Sequence, residues 1–473
     1  MCAAIFGGYA VAVLHAFLST GPQVRFPADG DTIAYLRMAA VPVFSRQFLA
    51  GERAFGYALL LKSTGLDLAA AGYVQTLVSI GAWGFLAWAV RHICSTGLGK
   101  DIACAAVLLC ALREEVLVWN SFSLSESLAF SSFAVWVGSW IMFARGRHRV
   151  WRLLPLATSF FFAFVRDSNA FLVLGAALLL AGLCACRIVA PRHLLLSLAL
   201  VCLFLGSQAS RVHSLRSLYS FQNLIGGRIL VDDWRIAALQ RQGMYGGLAK
   251  DEIAALAGLC GNQLAEKALE LSASGHGDID RFHEWAVTAG TRDYLAFLLR
   301  NPDYLLFQPF REEGMLRFLF PLADWVEPRG CSAPLRTEVP HLFQTMVPEP
   351  VRGFLRGTQP GWFLILWSVV VLECLLVFGA TGLHRGPLLI TLALLLSSIP
   401  HLLVVWHGDA LDVPRHAVLA GVQVHLAFAL ALAFACDAIA TLGGAGANRL
   451  RVGAAGVPPF ASSDPPRAPG AAG

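Results

Sequence analysis

Carboxylates and guanidinium groups at the edges of apolar runs are the side chains here that could do chemistry. Asp29 and Asp31 follow the first apolar run, opening an amphipathic stretch that passes Tyr35. Asp31 reads two ways: as an N-cap, or as a general base at the water–membrane boundary. Arg53-Ala-Phe-Gly-Tyr57 leads toward the second run, and Trp119-Asn120-Ser-Phe-Ser-Leu-Ser125-Glu126 joins two later ones. Glu126 falls in the first turn of a helix, where the helix dipole favours an acid. An acid facing lipid would be costly, so Glu126 is expected to point into the bundle.

Arg166 interrupts an apolar stretch of more than thirty residues, broken only at Arg166-Asp167-Ser168-Asn169. Arginine at a span centre costs about 2.5–3.5 kcal/mol on insertion scales. Pairing with Asp167 would require a turn, because adjacent residues do not share a helix face. The reading preferred here is a phosphate site, which suits the planar guanidinium fork. Trp406-His407-Gly-Asp409 and Pro414-Arg415-His416 precede the last run. Arg415 is either a snorkelling anchor or the second arm of an anion clamp with Arg166.

The elements that must position these groups follow from composition. Of 473 residues, 56% are hydrophobic and 14% charged, and mean hydropathy is +0.62. Soluble domains carry about 25% charged residues, so an ordinary cytosolic enzyme, a disordered chain and a coiled coil are excluded. Apolar segments run about 2–19, 73–90, 102–119, 124–144, 153–165, 168–186, 194–210, 361–381, 387–406 and 417–442. A bilayer core about 30 Å thick needs about 20 residues per helix. The expectation is an all-α polytopic membrane protein of about ten transmembrane helices. Residues 2–19 read as a retained first span and not as a signal peptide.

Basic residues set the orientation. Arg91 and Lys100, then Arg145, Arg147, Arg149 and Arg152, then Arg187 and Arg192, then Arg385, then Arg449 and Arg451 occupy alternate loops. These loops are placed in the cytoplasm, with both termini. The alternation holds only if 153–165 and 168–186 are separate elements. Outside lie the first loop 25–72, the Arg166-Asp167 turn, a mostly helical region 211–360 and the loop before Arg415. In that region helices are expected over Asp251–Ser272 and Asp280–Arg300, and Tyr304–Phe320 on the membrane surface. Residues 443–473 are expected to be a disordered tail. The net charge of +5 fits basic cytoplasmic loops and points to no nucleic-acid partner. Most of the 11 cysteines sit in or beside apolar runs and act as small hydrophobes. Cys260 and Cys331 fall in the outer region, where pairing depends on an oxidising compartment; free thiols are the expectation. No Walker, Rossmann or HExxH motif is present.

The order of these pieces resembles the GT-C class of polytopic glycosyltransferases, nearest the protein-mannosyltransferase and aminoarabinose-transferase-like branch. The matching pieces are Asp31-Thr-Ile-Ala-Tyr35, Arg53-Ala-Phe-Gly-Tyr57, Leu124-Ser-Glu126-Ser-Leu, Val165-Arg166-Asp167 and Pro414-Arg415-His416. The resemblance covers 1–210 well, as a GT-C-like module, and the helices of 361–442 loosely. Members often carry Asp-Glu at Asp31-Thr32, Arg-x-Pro-Gly-Tyr-Pro at Arg53–Ala58, Arg-Pro at Arg166-Asp167 and Arg-Tyr at Arg415-His416; this chain departs at each.

The resemblance implies inverting transfer of a sugar from a polyprenyl-phosphate donor to an exoplasmic glycan, lipid or protein hydroxyl in a bacterial plasma membrane. Asp31 would be the base, and Arg166 and Arg415 would hold the donor phosphate. Asp29, Tyr35, Arg53, Tyr57, Asn120, Glu126, Asp167 and His407 would line the sugar or acceptor pocket. It implies no cofactor, although a divalent cation could bind. Two alternatives stay open: a surface-glycan polymerase or ligase with a lipid-pyrophosphate donor, and a non-catalytic lipid or glycan transporter.

Overall fold

A computed structural model of the chain describes residues 1–22, 31–146, 150–214, 216–312, 368–373, 375–376, 385–410 and 413–455. Among them every regular element is helical. The first half comprises α1 (Cys2–Thr20), α2 (Asp31–Ala40), α3 (Arg46–Leu49), α4 (Phe55–Ser63), α5 (Leu68–Ile93), α6 (Gly97–Ala111), α7 (Glu114–Leu117), α8 (Glu126–Arg145), α9 (Val150–Val165), α10 (Asn169–Ala185) and α11 (Leu194–His213). The region after α11 contributes α12 (Arg216–Leu224), α13 (Asp233–Gln240), α14 (Lys250–Leu256), α15 (Gly261–Ala273), α16 (Gly277–Trp285), α17 (Thr291–Arg300) and α18 (Pro302–Glu312). Two long helices follow, α19 (Arg385–Gly408) and α20 (Val413–Ala455).

Among the described residues six helices are long and apolar enough to cross a membrane: α1, α5, α8, α11, α19 and α20. The chain therefore reads as a multi-pass membrane protein. The expectation of about ten transmembrane helices is not confirmed among the described residues. Three of the remaining apolar segments form α6, α9 and α10, of 15, 16 and 17 residues. At 1.5 Å per residue these rise about 22–26 Å, short of a bilayer core of about 30 Å. Most of the remaining segment, 361–381, lies outside the described residues.

Local sequence explains where the helices begin and end. The Asp67 carboxylate accepts from the backbone N–H groups of Ala69 and Ala70 and caps α5. Thr96 Oγ1 accepts from Gly99 N–H and caps α6. Gly146, in the left-handed region at φ 69°, ends α8. The apolar run around Arg166 resolves into two antiparallel helices, α9 and α10, packed on each other and on α11. That is the separate-element arrangement the loop alternation required.

The helices α5, α6, α8, α19 and α20 form the centre of the bundle, with α5 on α8, α6 on α20 and α19 on α20. Trp83, Trp119, Phe133, Trp406 and Phe434 are fully buried among them. A smaller core at one end joins α2, α3 and α4 to the ends of α8 and α9 through Tyr35, Phe48, Tyr57, Leu61, Leu128 and Val165. Gly56 lies under this core. A Cβ there would meet Phe164 O at 2.9 Å and Val165 Cα at 3.0 Å, so α4 backbone touches the end of α9 directly.

The opposite end, which carries the basic loops, is tied by one carboxylate. Asp437 of α20 accepts from the N–H groups of Ser95 and Thr96 and from Thr96 Oγ1. Cys2 Sγ donates to Asp101 Oδ1 nearby, and Arg145 donates to His92 O.

Three further expectations are corrected. The helix expected over Asp251–Ser272 breaks between α14 and α15, where Gly258 takes φ +80° and donates to Gly226 O. The helix expected over Asp280–Arg300 is present and stops at Asn301 as expected, with a π-helical turn at Ala286–Gly290. The backbone of α20 stays helical to Ala455, into the stretch expected to be disordered, and 456–473 lie outside the described residues. In α18, Tyr304 is buried against Phe297 and Trp406 while Leu306 and Phe307 are exposed; 313–320 lie outside the described residues. Cys260 is disulfide-bonded, contrary to the free thiol expected, and Cys331 lies outside the described residues.

Asp437→Ala removes the acceptor for three donors of the Ser95-Thr96 turn that leads into α6. Its expected cost is about 2 kcal/mol or more, read as a lower thermal midpoint of the detergent-solubilised protein, with Asp437→Asn falling between it and wild type. An unchanged midpoint for Asp437→Ala would show that this end is held by other contacts.

Candidate functional site

The site forms at the bundle end away from Asp437, where five separate stretches of chain place charged groups against one another. The carboxylate of Asp31, first residue of α2, accepts on Oδ1 from Arg53 and on Oδ2 from Arg415 Nη2 at 2.9 Å. Both of its oxygens are thus engaged by guanidinium groups, in preference to the N-cap reading. Arg53 sits in the turn between α3 and α4, and its backbone N–H donates to Met38 Sδ of α2. Thr32 Oγ1 donates to Ser123 O at 3.1 Å and joins α2 to the turn before α8.

Glu126 opens α8 and is 1% exposed. Its Oε1 lies 3.3 Å from Arg166 Nη1 and 3.3 Å from Arg415 Nε. Its Oε2 is buried and without a hydrogen-bond partner among the described residues. Arg166 therefore pairs with Glu126 and not with Asp167. Asp167 turns the other way, to Arg216 of α12 at 3.5 Å. The hairpin tip is closed by Asn169 Nδ2, which donates to Phe162 O at 3.0 Å. Arg415 is 8% exposed and aimed into the bundle, which rules out the snorkelling anchor.

Two tyrosines floor the cluster. Tyr35 and Tyr57 meet edge-to-face, ring centroids 5.0 Å apart, and both are buried. Burial, reinforced by the Asp31 charge, pushes the Tyr35 phenol up to about 12. Burial likewise raises Tyr57, with Tyr35 and Glu126 adding to it. Both rings are neutral at physiological pH. Asn120 is buried beside them; its Oδ1 accepts from Ser127 Oγ at 2.6 Å, and its Nδ2 has no partner among the described residues. Ser121, Ser123, Ser125 and Ser127 are buried along the same turn, giving it a hydroxyl-rich wall.

Burial acts to raise the Asp31 carboxyl, but the Arg415 and Arg53 charges outweigh it and hold the group well below the usual carboxylate range. Asp31 is therefore ionised throughout the pH range in which the protein would work. A depressed carboxyl adds stability above its unfolded pKa and loses it only as pH falls through the folded value. For Asp31 that window lies below about pH 4.

Of the residues singled out in the sequence, Asp31, Arg53, Glu126, Arg166 and Arg415 come together through direct ion pairs. Tyr35, Tyr57, Asn120 and Asp167 border them. Asp29 lies outside the described residues. His407 stands apart: its Nδ1 pairs with Tyr294 Oη and its Nε2 with Leu305 O, so both ring nitrogens serve the seam between α19 and the region after α11. Among the described residues no three His, Cys, Asp or Glu side chains gather as a metal-ligand set.

Two residues escaped the sequence reading. Gln75 of α5 is fully buried and its Nε2 reaches the carbonyls of Trp119, Asn120 and Phe122, which fixes the turn carrying Asn120. A lone amide inside an apolar run was its signal. Arg216 has only its place just beyond the end of α11 to mark it.

No protein-family model matches the chain, and no curated protein or solved structure matches it.

Glu126→Ala leaves Arg166 and Arg415 buried without their shared counter-ion. Breaking a buried pair from one side costs about 3–5 kcal/mol, measurable as a large drop in thermal midpoint. Gly56→Val, which must displace Phe164 and Val165, is expected to lower the midpoint as well by pushing on the Arg166 hairpin. Wild-type midpoints for both would mean that these contacts do not form.

Proposed function

We propose that the chain is a membrane glycosyltransferase that moves a sugar from a polyprenyl-phosphate donor to a hydroxyl of a glycan, lipid or protein acceptor, with inversion. The observation that carries the reading is the convergence of Asp31, Glu126, Arg53, Arg166 and Arg415 at one end of an apolar bundle. A lipid-linked donor requires cations at headgroup depth beside a surface for its tail. Arg166 and Arg415 supply the cations. A shallow apolar depression between α9 and α11 is lined by Leu156, Phe160, Leu198 and Cys202.

In this reading Asp31 takes the proton from the acceptor hydroxyl as its oxygen attacks the anomeric carbon. The bond from that carbon to the phosphate oxygen breaks, and polyprenyl phosphate leaves with the electron pair. Arg166 and Arg415 stabilise its growing charge from fixed positions. Asn120 and the serines of its turn offer hydrogen bonds to sugar hydroxyls. At rest Asp31 is a poor base, because two arginines hold its carboxylate. A donor phosphate competes for Arg415, loosens its hold on Asp31 Oδ2 and raises the basicity of that oxygen. The guanidinium groups neutralise the leaving phosphate, a task a divalent cation could share.

The site end is assigned to the outer face. The basic loops gather at the other end, as cytoplasmic loops do, and the disulfide at Cys260 fits an oxidising compartment. In the ten-span reading of the sequence both termini lie in the cytoplasm, and α6, α9 and α10 are three of its crossings. Shorter helices can be accommodated by local thinning of the bilayer.

Asp31→Asn and Arg166→Ala are expected to abolish glycan production in a deletion strain while protein levels stay normal. Full complementation by both would sink the enzyme reading and favour a transporter. At limiting donor, kcat/KM reports the free protein and is expected to show no acidic limb from Asp31 above about pH 5, since its ordinary pKa is about 3.9 and the arginines lower it. A limb near pH 6–7 that vanishes in Asp31→Asn would contradict the ion-pair geometry. For sidedness, Cys186 is exposed at the basic-loop end. A membrane-impermeant maleimide should fail to label it in intact cells and label it after permeabilisation; labelling in intact cells would invert the orientation.

A further inference from the structure

Arg216 is buried, at 6% exposure, just outside the end of α11. Its Nη2 donates to Ser210 Oγ at 3.0 Å and lies 3.5 Å from Asp167 Oδ1. Its Nε and Nη1 are buried with no hydrogen-bond partner among the described residues. Burial, with Arg211 and Arg53 in electrostatic reach, opposes its charge, and Asp167 and Tyr35 offset this only in part. A guanidinium held out of water with two idle donors and a long ion pair is a poor structural brace and a ready anion receptor. Among the described residues Arg53, Arg166 and Arg415 meet Asp31 and Glu126 in one network of ion pairs, and Arg216 meets Asp167 in a separate pair on the other side of the Arg166-Asp167 turn.

We propose that Arg216 forms a second anion subsite that takes a phosphate group across the Arg166-Asp167 turn from the one held by Arg166 and Arg415. The inference rests on the donor-binding reading of that first pair. Two sources would present the same chemistry: the distal phosphate of a lipid pyrophosphate, or a separate phosphate on the acceptor. In either case the ligand displaces Asp167 from Arg216, as the donor phosphate displaces Asp31 from Arg415.

The test uses the full chain in lipid nanodiscs, followed by tryptophan fluorescence. Farnesyl monophosphate and farnesyl diphosphate are titrated separately, and inorganic phosphate is titrated onto protein loaded with the monophosphate. Wild type is expected either to bind the diphosphate about tenfold or more tightly than the monophosphate, or to bind inorganic phosphate beside it; the arm that responds names the source. Arg216→Gln should erase that gain and leave monophosphate affinity within about twofold. Asp167→Asn should keep or strengthen the gain, because it removes the competing carboxylate. Arg216→Lys should restore part of it and guards against misfolding as the cause. The proposal is overturned if wild type shows neither gain, if Arg216→Gln retains it, or if Asp167→Asn loses it as fully as Arg216→Gln. Failure of the donor reading is separate: Arg166→Gln and Arg415→Gln would then bind the monophosphate as wild type does.

Discussion

Arg415 is the group on which the arrangement depends. It comes from the last long helix, yet its guanidinium lies against Asp31 of α2 and Glu126 of α8. Glu126 in turn holds Arg166 at the α9–α10 tip. None of these charges could be buried alone, because desolvation of an isolated ion costs several kcal/mol. Each is tolerable only where the next one stands. The requirement fixes the ends of four helices relative to one another more tightly than apolar packing could, since apolar contacts are non-directional.

The scaffold serves that requirement with backbone contacts and amides. Gly56 brings α4 onto the end of α9, next to Arg166. Gln75 holds three carbonyls of the turn that leads into Glu126. The two short helices α9 and α10 stop where the hairpin must turn, closed by Asn169. At the far end of the bundle a single acid, Asp437, holds the Ser95-Thr96 turn that leads into α6 and so pins α20 to it. The bundle thus has one end built for anchorage and one that concentrates paired charge.

The paired charge has a chemical consequence. A carboxylate that fills the coordination of an arginine occupies the place an anionic ligand would take. Asp31, Glu126 and Asp167 all stand in this relation to guanidinium groups. In the proposed reading an anion of higher charge density displaces these carboxylates, so that donor binding and exposure of the base would be one event.

The sequence alone determined the class of the molecule and the identity of most charged groups at the site. Apolar runs of membrane length and the alternation of basic loops are local properties, legible without contacts. So was the oddity of Arg166, Glu126 and Arg415, because charge in an apolar context is costly wherever it falls. Partner choice was not legible. Adjacency in sequence suggested Arg166 with Asp167, whereas the turn sends one to Glu126 and the other to Arg216. His407 resembled its neighbours in composition but is engaged by Tyr294 and Leu305. The lengths of α6, α9 and α10 likewise depended on where packing and turns end them. Which charge meets which is set by the directions in which separate helices present their side chains, and that geometry exists only once the bundle has assembled.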